Sequence, residues 1–141
     1  MSLQPFHIAI PVNNLTAARR FYGELLGCPE GRSSSNWIDF DFFGHQITVH
    51  AVEGSQSVRD TNPVDGADVP VPHFGIVMEW EQWHRWTADL QARGHPFAIA
   101  PTIRFQGQVG EQATCFFDDP AGNSLEFKAF KNLDALFATD E

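Results

Sequence analysis

The sequence is poor in the residues on which several common classes of protein depend. It has 2 cysteines in 141 residues, Cys28 and Cys115, too few for a disulfide framework and not in the C-x-x-C spacing of metal sites. The 9 Lys and Arg residues oppose 18 Asp and Glu, and the net charge of −9 argues against a basic face for nucleic acid. No apolar run approaches the roughly 20 residues of a membrane span, and MSLQPFHIAI lacks the charged start of a signal peptide. We therefore expect a cytoplasmic protein with reduced thiols that binds neither nucleic acid nor a membrane.

The signature loops of several enzyme classes are also missing. The sequence has no G-x-G-x-x-G or G-x-x-x-x-G-K-[ST] loop for nucleotides and no G-x-S-x-G turn for a serine nucleophile. It does have a hydrophobic content of 43%, with 13% aromatic residues. That content is sufficient for the core of a single globular domain spanning residues 1–141.

An internal repeat organises the chain. FHIAIPVNNLTAARRFYGELLG and PHFGIVMEWEQWHRWTADLQARG each begin with a histidine in an apolar run and continue into a helical pattern, and His73 lies 66 residues after His7. We predict a first βαβββ module at 4–54, a linker loop at 55–71, a second βαβββ module at 72–131 and a C-terminal helix or tail at 132–141. The predicted strands are 6–12, 37–43, 46–52, 73–78, 96–99, 112–117 and 124–130, and the predicted helices are 14–26 and 81–93. The fold class is α+β.

Two histidines and one carboxylate are the candidates for chemistry. His7 and His73 occupy matching positions in the first strands of the two modules. A single histidine there would be read as a core residue satisfied by a hydrogen bond, but two equivalent ones suggest a shared site. Glu126 follows the turn DPAG in an alternating apolar run and can supply a third ligand. Two imidazoles and one carboxylate form the facial triad that suits non-haem Fe(II).

His50 is the candidate for proton transfer. Strand alternation places Gln46, Thr48 and His50 on one face and the intervening apolar residues on the other. Such a polar face either lines a cavity, where His50 would act as a base near the metal, or faces solvent at an edge. In the glycine-containing loop between the last strands, Arg104, Glu111 and Gln112 could close over a substrate.

These residues resemble the vicinal oxygen chelate superfamily, which includes glyoxalase I, type I extradiol dioxygenases and bleomycin-resistance proteins. The resemblance rests on His7, NNLTAARRFYGELLG, His73 and FFDDPAGNSLEF, and it extends over residues 4–131. It implies two βαβββ modules that pair into a curved, cup-shaped mixed sheet with helices outside. It also implies a homodimer.

Position by position, the resemblance matches His7, His73 and Glu126 to the three metal ligands of the ring-cleaving dioxygenases. The fourth ligand of glyoxalase I, a carboxylate, falls at Thr48 here, which favours the dioxygenase. Phe116 stands where the dioxygenase signature has a tyrosine, and the histidine expected within residues 106–114 is absent.

The resemblance therefore implies a metal-dependent, dioxygenase-like enzyme acting on a small, catechol-like substrate with vicinal oxygens. Fe(II) is the expected metal, ahead of Mn(II), Zn(II) or Ni(II), and His50 would transfer the proton. Two alternatives stay open: a metal-dependent lyase or isomerase of the glyoxalase type, and a metal-free ligand-binding protein of the bleomycin-resistance type.

Overall fold

The structure is a computed structural model that describes residues 3–55 and 60–139. Its chain divides into two compact units, one of residues 1–58 and 119–123 and one of residues 59–118 and 124–141. The described elements are β1 (His7–Val12), α1 (Leu15–Ala18), β2 (Glu30–Ser33), β3 (Trp37–Phe42), β4 (His45–Ala51), β5 (Asp60–Val64), β6 (Ala67–Val71), β7 (Phe74–Met78), α2 (Trp80–Ala92), β8 (Ile99–Arg104), β9 (Gln112–Asp118) and β10 (Ser124–Phe130). No helix among the described residues is long and apolar enough to cross a membrane.

Unit 1 is built on a four-stranded mixed sheet in the order β1-β4-β3-β2. β1 runs parallel to β4, and the other neighbours are antiparallel. Alternate residues of the two inner strands, β4 and β3, turn one face into the core, where Ile38, Phe40 and Val49 are fully buried. The opposite face carries His7, Gln46, Thr48 and His50, so the alternation predicted for β4 is confirmed.

The helix of unit 1 begins where the sequence predicts and then changes its geometry. The Asn14 side chain accepts a hydrogen bond from the Ala17 amide at 3.0 Å, as an N-cap does. After Ala18 the helix continues as a π-helix over Arg19–Leu25. Gly27 follows with a φ of 74°, the left-handed conformation that ends many helices.

Unit 2 is built on a second four-stranded mixed sheet, in the order β7-β10-β9-β8. β7 runs parallel to β10, and the remaining pairs are antiparallel. α2 packs on one face of this sheet, where the Trp83 indole donates to the Phe127 carbonyl at 2.7 Å and the Trp86 ring lies 4.2 Å from the Phe127 ring. The two units thus confirm the α+β class, with one open mixed sheet each.

The expectation of an irregular linker at 55–71 is wrong for its described part beyond residue 59. β5 and β6 pair as an antiparallel hairpin. Asp65 and Gly66 at its tip have φ values of 45° and 82°, the two positive angles of a type I′ turn. The Asp-Gly dipeptide is the signal for this hairpin, but the prolines and polar residues of the flanking strands obscure the strand pattern. Residues 56–59 lie outside the described part.

Two other strand predictions need correction. β2 was not predicted, because Glu30–Ser33 is an exposed, polar edge strand without an apolar face. β8 spans Ile99–Arg104 in place of the predicted 96–99. Pro101 falls at an irregularity in its pairing with β9, where it interrupts the alternation that identifies a strand.

The C-terminal segment forms a shorter helix than expected. A single 3₁₀ turn spans Leu133–Ala135, and Asn132 caps it by accepting from the Asp134 amide at 3.1 Å. The last two residues lie outside the described part.

Candidate metal centre

Glu126 lies in the middle of β10 and is buried, with 9% of its surface exposed. The strand is flanked on one side by β7, where Gly75 pairs with Glu126, and on the other by β9, where Phe116 does. Its neighbours Leu125 and Phe127 point to the opposite face and are fully buried. The carboxylate therefore needs polar partners within the protein, since burying an unpaired charge is costly.

His73 is the first of these partners. Its Nε2 atom lies 3.2 Å from Glu126 Oε1, and 27% of its side chain is exposed. The other ring nitrogen, Nδ1, lies 2.6 Å from the carbonyl oxygen of Pro70, which can only accept a hydrogen bond. The Nδ1–H bond to a carbonyl fixes the ring and turns Nε2 toward the carboxylate, as is usual for a histidine that binds metal.

Thr114 is the second partner of the carboxylate. This fully buried residue of β9 donates its hydroxyl hydrogen to Glu126 Oε2 at 2.5 Å. Thr114 therefore holds one carboxylate oxygen while the other faces His73. Hydrogen bonds of this kind orient the ligands of metal sites, and their loss lowers metal affinity.

The pairing moves the pKa values of both groups apart. The hydrogen bond to Glu126 raises the pKa of His73 above its ordinary value of 6.5, although burial acts in the opposite direction. Burial alone would raise the pKa of Glu126, but the hydrogen bonds from His73 and Thr114, with the charges of Lys128 and His73, together hold that pKa below 4.5. Without a metal, the pairing therefore favours the imidazolium–carboxylate form of the two side chains.

A pH dependence of stability follows for the metal-free protein. The stabilisation from His73 is complete below its unfolded pKa of about 6.5 and is lost as the pH rises through the raised folded value. The stabilisation from Glu126 is complete above about pH 4.5 and is lost as the pH falls through the lowered value. Urea unfolding of wild type and Glu126→Gln should therefore differ most between about pH 4.5 and 6.5, by roughly 1.5–3 kcal/mol. A difference that is constant from pH 4 to 9 would contradict the pairing.

Phe116 borders the same pair. Its ring is fully buried and meets the His73 ring edge to face, with the ring centres 4.9 Å apart. The ring-cleaving dioxygenases carry a tyrosine at this position. Here an apolar ring without a hydroxyl lies against His73.

Gly75 allows β7 to approach β10 closely. A Cβ atom on Gly75 would overlap the carbonyl oxygen of Glu126 and lie 2.6 Å from its carbonyl carbon. Together with His73, Glu126 and three neighbours, Gly75 lines a cavity of about 200 Å³; the other lining residues are Ile76, Val77 and Lys128.

Adding a methyl group at Gly75 should therefore separate the two strands. We expect Gly75→Ala to lower the free energy of unfolding by about 1–3 kcal/mol or more and to weaken the contact between His73 and Glu126. Gly110→Ala is the matched control, because a Cβ there meets no atom within 4 Å. Equal stability of the two variants in urea unfolding would show that the close approach is unimportant.

His7 and His50 lie in unit 1, on the same face of its sheet. His7 is exposed at the start of β1 and pairs with Gln46. His50 is exposed near the end of β4, between Pro11 and Trp37 in the pairing register. Gln46 and His50 are four residue steps apart along the strand, which corresponds to about 13 Å.

Thr48 holds, in unit 1, the register position that Glu126 holds in unit 2. The residue two positions after His7 pairs with Thr48, and the residue two positions after His73 pairs with Glu126. The register therefore supports the alignment that puts Thr48 at the position of the fourth glyoxalase ligand.

A carboxylate that the sequence analysis did not select lies beside Thr48. Asp39 on β3 pairs with Thr48 and accepts a hydrogen bond from its hydroxyl at 2.6 Å. In the sequence, Asp39 looks like one of two acidic residues on a solvated strand face. The cross-strand pairing that brings it to Thr48 is visible only in the fold.

Of the four predicted site residues, the structure brings His73 and Glu126 into contact. His7 and His50 belong to unit 1, whereas His73 and Glu126 belong to unit 2. Among residues 3–55 and 60–139, no group of three or more His, Cys, Asp and Glu side chains is arranged to hold a metal ion. Thr114 and Pro70, which fix the pair, were not predicted, because neither residue type marks a site by itself.

Other sequence expectations near the site have mixed outcomes. Arg104 and Gln112 are strand residues, paired with each other, and do not belong to the loop between β8 and β9.

Cys28 and Cys115 are buried, and burial is the main cause that raises the pKa of each thiol to about 12. Both therefore behave as packed thiols and not as nucleophiles.

The sequence matches the model of one protein family over residues 4–127, described as the glyoxalase/bleomycin resistance protein/dioxygenase superfamily. The chain belongs to this superfamily. No curated protein matches the sequence significantly.

Similar solved structures agree with the assignment of this chain to the superfamily. A glyoxalase/bleomycin resistance protein/dioxygenase from Alicyclobacillus acidocaldarius is 31% identical, with a TM-score of 0.80, and the match covers 95% of this chain and 96% of that one. A fosfomycin resistance protein, FosX, from Listeria monocytogenes is 20% identical, with a TM-score of 0.67 and coverage of 96% and 98%. A lactoylglutathione lyase from Agrobacterium tumefaciens is 19% identical, with a TM-score of 0.65 and coverage of 89% and 92%. The last two establish likeness of fold.

Proposed function

We propose that this superfamily member is a metal-dependent dioxygenase that acts on a small, catechol-like substrate with vicinal oxygens. Its metal, Fe(II) first and otherwise Mn(II), Zn(II) or Ni(II), would be held by His7, His73 and Glu126. The observation that carries the proposal is the contact between His73 and Glu126. A second hydrogen bond orients each of them, to the Pro70 carbonyl for His73 and from the Thr114 hydroxyl for Glu126. An imidazole and a carboxylate arranged in this way are suited to share a divalent ion.

The residues around the pair fit such an ion. His73 needs to lose one proton before Nε2 can bind a metal, and Pro70 keeps the other proton on Nδ1. Thr114 leaves Glu126 Oε1 available as a ligand atom. Bound Fe(II) would supply Lewis acidity toward a chelating substrate and electrons for O₂. The side chain of Phe116 excludes water from one side of His73.

We propose His50 as the group that accepts and returns the substrate proton, from its place on the polar face of β4. His50→Gln should lower the turnover number by about 10²–10⁴-fold while the metal content stays unchanged. His84→Gln, at an exposed position of α2, is the control and should retain full activity. Steady-state kinetics together with elemental analysis would test this role. Full activity in the His50 variant would remove His50 from the mechanism.

Oxygen uptake tests the reaction class. Protein prepared without oxygen and loaded with Fe(II) should consume O₂ when one of a panel of catechols is added, in amounts equal to the substrate consumed. Wild-type protein and His73→Ala, loaded in the same way, should differ in this uptake. Turnover of a substrate without O₂ consumption would exclude a dioxygenase.

Asp39 favours a second candidate function, a lyase or isomerase of the glyoxalase type. Its carboxylate contacts Thr48, the residue at the position of the fourth glyoxalase ligand. An O₂-independent reaction that Asp39→Asn abolishes, together with a loss of metal, would favour this candidate. A metal-free binding protein, the remaining alternative, would quench its tryptophan fluorescence with ligand whether or not metal was present. The homodimer and the cytoplasmic location stay predictions.

A further inference from the structure

Arg104 is a buried arginine for which no ion pair is found within the described part of the chain. It ends β8, and 6% of its surface is exposed. Its guanidinium carbon lies 5.7 Å from the centre of the Phe116 ring. Within the described residues, 3–55 and 60–139, the buried Nη2 atom has no hydrogen-bond acceptor. A guanidinium is always protonated, and each buried N–H without an acceptor costs free energy.

The pairing register places Arg104 on the face of the unit 2 sheet that carries the candidate ligand. Arg104 pairs with Gln112, and the residues that follow Gln112 at alternate positions of β9 are Thr114 and Phe116. Phe116 pairs in turn with Glu126. The position of the Arg104 guanidinium over the Phe116 ring agrees with this assignment, because side chains that meet across neighbouring strands lie on the same face.

The same face has another cation and another unsatisfied polar atom. Lys128 pairs with Thr114 and lines the same cavity as Glu126. Ser124 is buried, and its hydroxyl oxygen has no hydrogen-bond partner among the described residues. This face therefore holds two cations and an unused hydroxyl beside two carboxylates, those of Glu126 and Asp118.

We propose that Arg104 binds an oxyanion group of the substrate, a carboxylate or a phosphonate, through the edge that contains Nη2. The inference rests on the proposed function and narrows its substrate class to small acids that carry vicinal oxygens. A guanidinium presents a planar pair of donors that matches such anions, and the apolar ring of Phe116 strengthens the interaction by excluding water. The bound anion would satisfy the Nη2 donor, which has no acceptor among residues 3–55 and 60–139.

The affinities of matched ligands test this proposal. Catechol, 3,4-dihydroxybenzoate and 3,4-dihydroxyphenylphosphonate share the vicinal oxygens and differ in the acidic group. Calorimetry on Fe(II)-loaded wild type without oxygen should show at least one of the two acids binding about 10-fold tighter than catechol, or more. Comparison of the two acids shows whether a carboxylate or a phosphonate is preferred. In Arg104→Gln the preference should vanish, while catechol affinity and metal content stay unchanged. Arg104→Lys should retain part of the preference, and Arg85→Gln, at an exposed position of α2, all of it.

Equal affinity for catechol and both acids in wild type would overturn the proposal, as would an undiminished preference in Arg104→Gln. Benzoate and benzyl alcohol, titrated into metal-free protein by tryptophan fluorescence, separate this inference from the proposed function. Benzoate binding that depends on Arg104 in a protein that takes up no metal would support the anion site and contradict the metalloenzyme. Metal binding without any preference for acids would contradict the anion site alone.

Thermal stability distinguishes a binding arginine from a structural one. A buried charge without a partner destabilises the protein, so Arg104→Met should raise the melting temperature of the ligand-free protein by roughly 2–4 °C. A lower melting temperature in both Arg104→Met and Arg104→Lys would assign Arg104 to the core and overturn the proposal.

Discussion

Glu126→Gln is expected to abolish tight metal binding. Glutamine keeps the shape of the side chain but removes the negative charge that would hold a divalent ion and that raises the pKa of His73. Loss of an outer partner of a metal ligand commonly costs about 10–100-fold in affinity, and loss of a ligand charge should cost more. Calorimetric titration of both proteins with Fe(II) under nitrogen measures the difference directly.

Two variants calibrate that result. Thr114→Val removes the hydroxyl that donates to Glu126 Oε2 and should reduce metal affinity by about 10–100-fold. Glu126→Asp keeps the charge but shortens the side chain, and its affinity should lie between those of wild type and Glu126→Gln. Equal metal affinity in wild type and Glu126→Gln would remove Glu126 from the proposed site.

The largest loss of stability is expected from Asp119→Ala, in unit 1. Asp119 is 4% exposed. One of its oxygens accepts from the amides of Ala121 and Asn123 at 2.9 and 2.8 Å, and the other accepts from the Tyr22 hydroxyl and the Asn123 side chain at 2.7 and 2.9 Å. Removing the carboxylate leaves three buried donors without their acceptor, and the Asn123 side chain keeps its bond to the Pro11 carbonyl. We expect the free energy of unfolding to fall by about 3–5 kcal/mol, as measured by urea unfolding.

Tyr22→Phe is the matched control for Asp119→Ala. Burial and the neighbouring Asp119 raise the pKa of Tyr22 well above 10, so its hydroxyl is neutral and acts as a donor. Removing this hydroxyl deletes one donor and leaves the remaining bonds to Asp119 intact, so the expected loss is about 1–2 kcal/mol. If Asp119→Ala cost no more than Tyr22→Phe, the turn at residues 119–123 would not depend on its carboxylate.

The sequence predicts those parts of the fold that depend on local patterns. Asn14 and Gly27 bound the first helix as their residue types indicate. The repeat of His7 and His73, together with the carboxylate in a buried strand, selects His73 and Glu126, which the structure brings into contact. Strand periodicity also places His50 on the polar face of its sheet.

The rest depends on pairing between distant strands, which local patterns do not encode. Thr114 contacts Glu126, and Asp39 contacts Thr48, because of the register of antiparallel neighbours. Arg104 looks like a loop residue in the sequence, and only the pairing with Gln112 makes it a buried strand residue. Supporting residues of this kind belong to no sequence motif. They nevertheless determine the chemistry of the ligand residues, which do belong to motifs.

Metal content is the most direct test of the proposed metal centre. Wild-type protein purified without oxygen should contain close to one divalent ion per chain by elemental analysis, and His73→Ala, which loses the imidazole that contacts Glu126, should contain almost none. Circular dichroism of both proteins would confirm that the variant is folded. Equally low metal in both proteins, including after incubation with Fe(II), would contradict a metal centre at His73 and Glu126.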